Sequence, residues 1–157
     1  MTRERRIALH EAGHAVLALS SDIGVEQMTI DANGGNCWIS SIDKAKLPRQ
    51  YGVAVDLGGI MAEVLAGLAV DCRIADYGGD MRSVQRSTSP RLRDAVISWA
   101  ADYALRQLRQ YWPALQRIAK ALEEKGALTG DEVRQLFKPR KAVLTVQLQN
   151  QQPKPKR

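Results

Sequence analysis

The sequence predicts a mainly α-helical fold with one small β element. Apolar residues recur at helical spacing through most of the 157-residue chain, and capping or stop residues separate the periodic stretches. One short stretch instead alternates apolar and polar residues on both sides of an Asn-Gly-Gly-Asn turn. A chain of this length suits one domain whose core needs no disulfide.

The expected helices share an amphipathic or fully apolar pattern bounded by recognisable caps. They run from the Thr2 cap to about Ser20, over residues 51–70, over residues 81–87, from the Ser89 cap and Pro90 to about Gln110, from Pro113 to the stop at Gly126, and from the Thr129 capping box through Phe137. The second of these helices is apolar nearly all round, which is typical of a buried helix. Gly58 and Gly59 lie inside it, where glycine costs about 1 kcal/mol relative to alanine. We therefore expect a small face there that packs closely on the first helix and directs Glu63 toward it.

The β element is expected to be a hairpin beside the first helix. Its strands are residues 25–31 and 37–42, joined by a turn over residues 33–36, and a polar loop follows over residues 43–49. The outer edge of this hairpin is a candidate for pairing with an extended peptide, because main-chain hydrogen bonds give affinity with little sequence preference.

The positive charge of the chain is concentrated at its C-terminal end. The formal net charge is +6. Residues 138–157 carry six lysines and arginines and no acidic residue, so residues 1–137 are neutral overall. We therefore expect a folded domain over residues 1–137 and a basic, Pro/Gln-rich tail that is mostly disordered, with a β-like alternation only at residues 143–148. Nucleic-acid binding is expected at most weakly, through this tail.

The cysteine content and the hydropathy pattern predict a soluble, cytoplasmic protein. Cys37 and Cys72 form no CxxC pair and are expected to be reduced thiols, with a single disulfide between them as the alternative. The N-terminus runs directly into charged residues, so no signal peptide is expected. The longest apolar stretch, residues 58–70, contains Glu63 and is too short to span a bilayer, so no membrane anchor is expected.

Both histidines of the chain lie in an HExxH motif at residues 10–14. Because residues four apart share a helix face, His10 and His14 can bind one Zn²⁺ at about 2.0–2.1 Å. Glu11, beside the metal but not a ligand, would accept a proton from the attacking water and pass it to the leaving amine. The alternative is a pair of ordinary surface histidines, but both lie on the apolar stripe of the helix. Burying two imidazoles without a partner is costly, so the motif predicts a zinc site.

A third protein ligand is expected, because catalytic zinc normally has three protein ligands and one open position. The candidates are Asp80, Glu63, Asp76 and Asp56. Asp80 follows two glycines that allow the backbone to turn toward the site, although Asp is also a frequent helix N-cap. From the residues alone, Asp80 ranks only slightly above Glu63.

Four segments of the chain resemble the peptidase domain of FtsH-type AAA+ zinc proteases. They are HEAGHAV at residues 10–16, GGIMAE at 58–63, GGD at 78–80 and LTGDEV at 128–133, in the order found in that family. The resemblance implies a mainly helical, zincin-like metallopeptidase domain. It also implies zinc ligands at His10, His14 and Asp80, with Glu63 near the site rather than on the metal. The chain differs from the usual family pattern at Gly79, where Asn is common, and at Ile60, where Arg is common.

The expected function is that of a zinc-dependent metalloendopeptidase that acts without ATP. The sequence contains no GxxxxGK(S/T) phosphate loop, so we expect cleavage of peptides, unfolded segments or exposed loops, with any unfolding done by a separate unfoldase. The alternative is a non-catalytic relative that keeps the fold and the metal as a protein-binding module. The complete His-Glu-His set favours the enzyme.

Overall fold

Helices form most of the protein in the computed structural model, which describes residues 1–68 and 78–138. The elements in chain order are α1 (Arg3–Ser20), β1 (Val25–Asp31), β2 (Gly34–Ile39), α2 (Ser41–Lys46), α3 (Arg49–Asp56), α4 (Gly58–Leu65), α5 (Gly78–Ser87), α6 (Arg93–Gln110), α7 (Trp112–Lys125), β3 (Ala127–Thr129) and α8 (Gly130–Phe137). The mainly helical class with a small β element is confirmed. The predictions for Cys72, Asp76 and the chain after Lys138 lie outside the described residues.

Helix α1 is the central element, and its ends agree with the prediction. The Thr2 side chain accepts a hydrogen bond from the Arg5 amide at 3.1 Å, so the first turn is capped as expected. From Ala8 to Ala18 every residue except His10 is buried. Helices α4 and α7 and strand β2 pack against α1. The HExxH motif is therefore held against the core rather than on a fully exposed helix face.

The contact between α1 and α4 explains the glycines of the second predicted helix. A Cβ atom on Gly13 would lie 2.3 Å from the Gly58 carbonyl oxygen, and one on Gly58 would lie 2.8 Å from the Gly13 oxygen. A Cβ on Gly59 would lie 2.2 Å from His10 Nε2. Each of these distances is too short for a real side chain. The glycines thus let the two backbones touch beside the motif.

The prediction of one continuous helix over residues 51–70 is wrong. The chain forms two helices, α3 and α4, with a break at Leu57. At this break the Val55 carbonyl accepts a hydrogen bond from His14 Nδ1 at 2.7 Å. Both halves are apolar nearly all round, so the hydrophobic pattern could not indicate where one helix ends and the next begins.

The β element is a three-stranded antiparallel sheet in the order β2-β1-β3. The predicted hairpin is present, but β2 begins at Gly34 and ends at Ile39 rather than covering residues 37–42. The strand ends there because Ser40 caps α2, accepting a hydrogen bond from the Asp43 amide at 3.2 Å; the predicted polar loop contains this short helix. Strand β3 was not predicted. Among the described residues β2 pairs only with β1, so its other edge is open.

The remaining helices mostly agree with the capping signals. Gly126 ends α7 in the left-handed conformation, with φ 74°, and Thr129 and Glu132 form the predicted capping box of α8. Helix α6 begins at Arg93 instead of Pro90, because residues 89–92 form a turn closed by a hydrogen bond from the Leu92 amide to the Ser89 oxygen. No described helix has the length and apolar character needed to cross a bilayer.

Candidate metal centre

A cleft of about 740 Å³ runs between α1, β2 and the start of α5, and the HExxH motif forms its floor. The motif residues His10, Glu11 and His14 line it from α1, and residues of β2 form one wall. Asp80 enters from the first turn of α5, so it is a helical residue rather than part of the loop expected from the glycines. The cleft therefore joins three segments that are distant in sequence.

Three side-chain atoms converge in this cleft. Asp80 Oδ2 lies 3.0 Å from His10 Nε2 and 3.2 Å from His14 Nε2, and the two Nε2 atoms are 3.2 Å apart. Ligand atoms at about 2.0–2.1 Å from one tetrahedral ion would be roughly 3.3–3.4 Å apart. The observed triangle is close to that size. His10, His14 and Asp80 therefore form a group that can hold a metal ion.

The two imidazole rings are oriented by their other nitrogen atoms. His14 Nδ1 donates to the Val55 carbonyl oxygen at 2.7 Å, and His10 Nδ1 is 2.7 Å from Glu63 Oε1. A ring that donates through Nδ1 presents the lone pair of Nε2, and both Nε2 atoms face the Asp80 carboxylate. Metal-binding histidines are usually held in this way by a carbonyl or carboxylate.

Glu63 is placed beside the site, on the side of His10 away from Asp80. Its second carboxylate oxygen accepts from Arg6 Nε at 2.7 Å and lies 2.6 Å from Arg6 Nη2. Burial opposes ionisation of Glu63, but the hydrogen bonds from His10 and Arg6 outweigh it and lower its pKa. Glu63 is therefore an ionised partner of a proposed ligand, rather than a member of the converging group.

The charge balance of the described cluster favours a cation at its centre. Burial lowers the pKa of His10, but hydrogen bonds to Asp80 and Glu63 and the Glu11 charge outweigh burial and raise it from 6.5 to about 9. Burial opposes ionisation of Asp80, but its hydrogen-bond and charge interactions with His10 and His14 outweigh burial and lower its pKa. In the absence of a metal the carboxylates hold a proton on His10. A divalent ion bound by the same atoms would take the place of that proton.

Glu11 is buried, with 8% of its surface exposed, and lies beside the ligand group without belonging to it. Its side chain packs against Gly35 of β2, where an added Cβ would lie 2.6 Å from Glu11 Cγ and 2.8 Å from Glu11 Oε1. Burial raises the pKa of Glu11, although the charges of His14 and His10 oppose this shift. The arrangement suits a proton acceptor, because the carboxylate faces the cleft next to the proposed metal position.

Asp56 also lines the cleft, but it does not belong to the converging group. Its carboxylate forms an ion pair with Lys44 and accepts a hydrogen bond from Ser83 Oγ at 2.8 Å. Asp76 lies outside the described residues. No sequence pattern indicates two further groups of the site, the Val55 carbonyl and Gly35, because their positions beside His14 and Glu11 are set only by folding. The Cys37 thiol also lines the cleft, and burial raises its pKa.

Comparisons with known proteins do not assign the chain to a family: no protein-family model and no curated protein significantly matches the sequence. The geometry shows that α1 and α5 together form a His-His-Asp group able to hold a metal ion.

Proposed function

We propose that the protein is a zinc-dependent metalloendopeptidase resembling the peptidase domain of FtsH-type proteases. The observation that carries the proposal is the position of Glu11, buried beside the converging His10, His14 and Asp80 atoms but not among them. A site that only stored or transported a metal would have no need for a carboxylate in that place. Nitrogen and oxygen ligands in a near-tetrahedral triangle favour zinc.

Each residue of the site has a separate task in peptide hydrolysis. A bound Zn²⁺ would lower the pKa of water and polarise the substrate carbonyl. Glu11 accepts a proton from the attacking water and transfers it to the nitrogen of the leaving amine, so the peptide C–N bond breaks and a carboxylate and an amine form. Val55 and Glu63 keep the two rings turned toward the cleft.

The open edge of β2 is the proposed binding surface for the peptide backbone. Residues 34–37 and Ile39 line the cleft, and β2 pairs only with β1 among the described residues, so its outer N–H and C=O groups can form a ladder with an extended substrate. Such a substrate must already be unfolded or lie in an exposed loop. We propose that hydrolysis by this domain needs no ATP, and that a separate unfoldase would have to supply folded substrates.

The proposed reaction is tested with wild type and the Glu11→Gln variant, each loaded with zinc. Metal content is measured by mass spectrometry after dialysis, and hydrolysis is followed on casein and on a denatured protein. We expect one zinc per chain in both proteins and a loss of hydrolysis of at least a hundredfold in Glu11→Gln, because general base catalysis contributes about 10²–10⁴. Equal hydrolysis by the two proteins would contradict the mechanism. Full zinc occupancy with no hydrolysis by wild type would favour the non-catalytic, protein-binding alternative.

Proline substitution tests the strand-pairing part of the proposal. Along an antiparallel strand the N–H groups point alternately to the two sides, so one of the pair Cys37→Pro and Trp38→Pro removes an outward N–H and spares the ladder to β1. We expect the variant that keeps the wild-type melting temperature to bind peptides more weakly. Unchanged peptide affinity in that variant would refute pairing at β2.

A further inference from the structure

One arginine in the cleft has no role in holding the metal group. Arg3 lines the cleft on the first turn of α1, and its Nη1 atom donates to the Ala32 carbonyl oxygen in the hairpin turn at 2.9 Å. Arg3 is exposed. Among the residues the structure describes, its guanidinium makes no ion pair with a carboxylate. The neighbouring Arg6, by contrast, forms an ion pair with Glu63.

Arg3 lies at the end of the cleft where β2 begins. The side chain of Glu11 packs on Gly35, while Arg3 reaches Ala32, so α1 and β2 run side by side in the same direction. Arg3 precedes His10 by two helical turns, or roughly 10 Å along the helix axis. An extended peptide covers that distance in about three residues.

We propose that Arg3 recognises a carboxylate of the substrate about three residues downstream of the cleaved bond. The proposal rests on the proposed peptidase function. A peptide that adds to β2 in the antiparallel sense, like the rest of this sheet, runs from Ile39 toward Gly34, so its downstream residues approach Arg3. The planar guanidinium binds carboxylates well, and its hydrogen bond to the turn already restricts the side chain. The carboxylate can belong to an Asp or Glu side chain or to the C-terminus of a short substrate.

Cleavage of a random peptide mixture tests this preference. Peptides with both ends blocked are digested with zinc-loaded wild type, Arg3→Gln, Arg3→Glu and the control Arg5→Gln, and the products are sequenced by mass spectrometry. Arg5 is a matched control because it carries the same charge on the same helix but pairs with Glu123 of the neighbouring helix α7. We expect Asp and Glu to be enriched about threefold to tenfold near the third downstream position by wild type and Arg5→Gln. The enrichment should vanish in Arg3→Gln and change to Lys and Arg in Arg3→Glu.

A second mixture with free C-terminal carboxylates separates the two sources. Enrichment that persists in blocked peptides identifies an acidic side chain, whereas enrichment confined to unblocked peptides cut about three residues from the end identifies the terminal carboxylate. Cleavage by wild type without either preference, or with the same preference in Arg3→Gln, would overturn the role of Arg3 and leave the peptidase proposal standing.

A binding measurement keeps the two proposals distinguishable. Zinc-loaded Glu11→Gln protein, with and without Arg3→Gln, is titrated with two labelled decapeptide mixtures that differ only in Glu against Gln. Tighter binding of the Glu mixture that depends on Arg3 supports the inference even if wild type hydrolyses nothing. Equal binding of the two mixtures would overturn it.

Discussion

His10 uses both of its ring nitrogens inside the candidate site. Its Nε2 atom faces Asp80 and His14, and its Nδ1 atom faces Glu63. The Glu63 carboxylate is in turn held by Arg6. The Nδ1 atom of His10 thus donates to an ionised carboxylate that Arg6 holds in place. This hydrogen bond makes Nε2 a stronger metal ligand.

We expect Glu63→Gln to lower zinc affinity by about 10- to 100-fold, because the neutral amide polarises the His10 ring less and loses the ion pair with Arg6. Affinity is measured by competition with a chromophoric chelator at pH 7.5. Glu123→Gln is the matched control, since it removes a carboxylate of an ion pair with Arg5 away from the cleft. Equal zinc affinities of the two variants would contradict the role given to Glu63.

At this scale the sequence predicted the side chains of the site but not their backbone partners. His10, Glu11 and His14 follow from the spacing of the motif on a helix, and Asp80 is brought to them as the resemblance implied. Residue chemistry alone left Glu63 and Asp80 nearly equal. The two acids are distinguished only by which ring nitrogen each one faces, and that depends on how α4 and α5 pack against α1.

The contact between helices α1 and α4 determines the shape of the site. The backbones of the two helices touch at Gly13 and Gly58, so α4 lies directly against the motif. This close approach also keeps Glu63 within hydrogen-bonding distance of His10. A larger separation of the helices would break this contact between Glu63 and His10.

We expect Gly13→Ala to reduce the free energy of unfolding by about 1–3 kcal/mol or more, because the new methyl group would overlap the Gly58 carbonyl oxygen. Urea unfolding measures the change. Gly79→Ala is the control, since a Cβ there meets nothing within 4 Å and alanine favours the helix. A Gly13→Ala variant as stable as wild type would show that the two helices can separate freely.

The capping box of α8 makes the folding stability of the protein depend on pH in the acid range. Hydrogen bonds from Lys125 and from the Thr129 amide and hydroxyl lower the pKa of Glu132 from 4.5 to about 2. A carboxylate with a lowered pKa contributes stability above its unfolded value and loses it as the pH falls through the folded value. We therefore expect wild type to lose more stability between pH 5 and pH 2 than Glu132→Gln does, as followed by urea unfolding at each pH. Parallel pH profiles would contradict this contribution.

The helices were predicted well where local chemistry determines their ends. Thr2, Gly126 and the Thr129–Glu132 pair act through their own neighbours, so capping rules apply. The break at Leu57 and strand β3 depend on distant partners: α1 for the break, and β1 for the three residues 127–129. A pattern read along the chain contains no information about such partners.

At the scale of the whole molecule, the candidate centre connects helix α1 to helix α5, which packs mainly on α3. His10 and Asp80 are 70 residues apart in the sequence. Helix α5 is held by the buried Val84 and by the hydrogen bond from Ser83 to Asp56. A metal ion bound by both helices would add a direct connection between them.

We expect zinc to raise the melting temperature and a chelator to lower it, because a ligand that binds only the folded state stabilises it by about 4 kcal/mol at a thousandfold excess over its Kd. Thermal unfolding is measured with excess zinc and with chelator, for wild type and Asp80→Asn. The shift should be much smaller in Asp80→Asn, which lacks the connection from α5. Identical shifts in the two proteins would place the metal elsewhere.

The absence of a side chain at Gly35 has a consequence for the residue that faces it from α1. The space a methyl group would need at that position is filled by Glu11 and Ile7, and none of the three nearest atoms belongs to His10, His14 or Asp80. Crowding at residue 35 would therefore meet the Glu11 carboxylate before it met the metal-binding group. In the proposed peptidase, a larger side chain at this position would thus impair hydrolysis more than zinc binding.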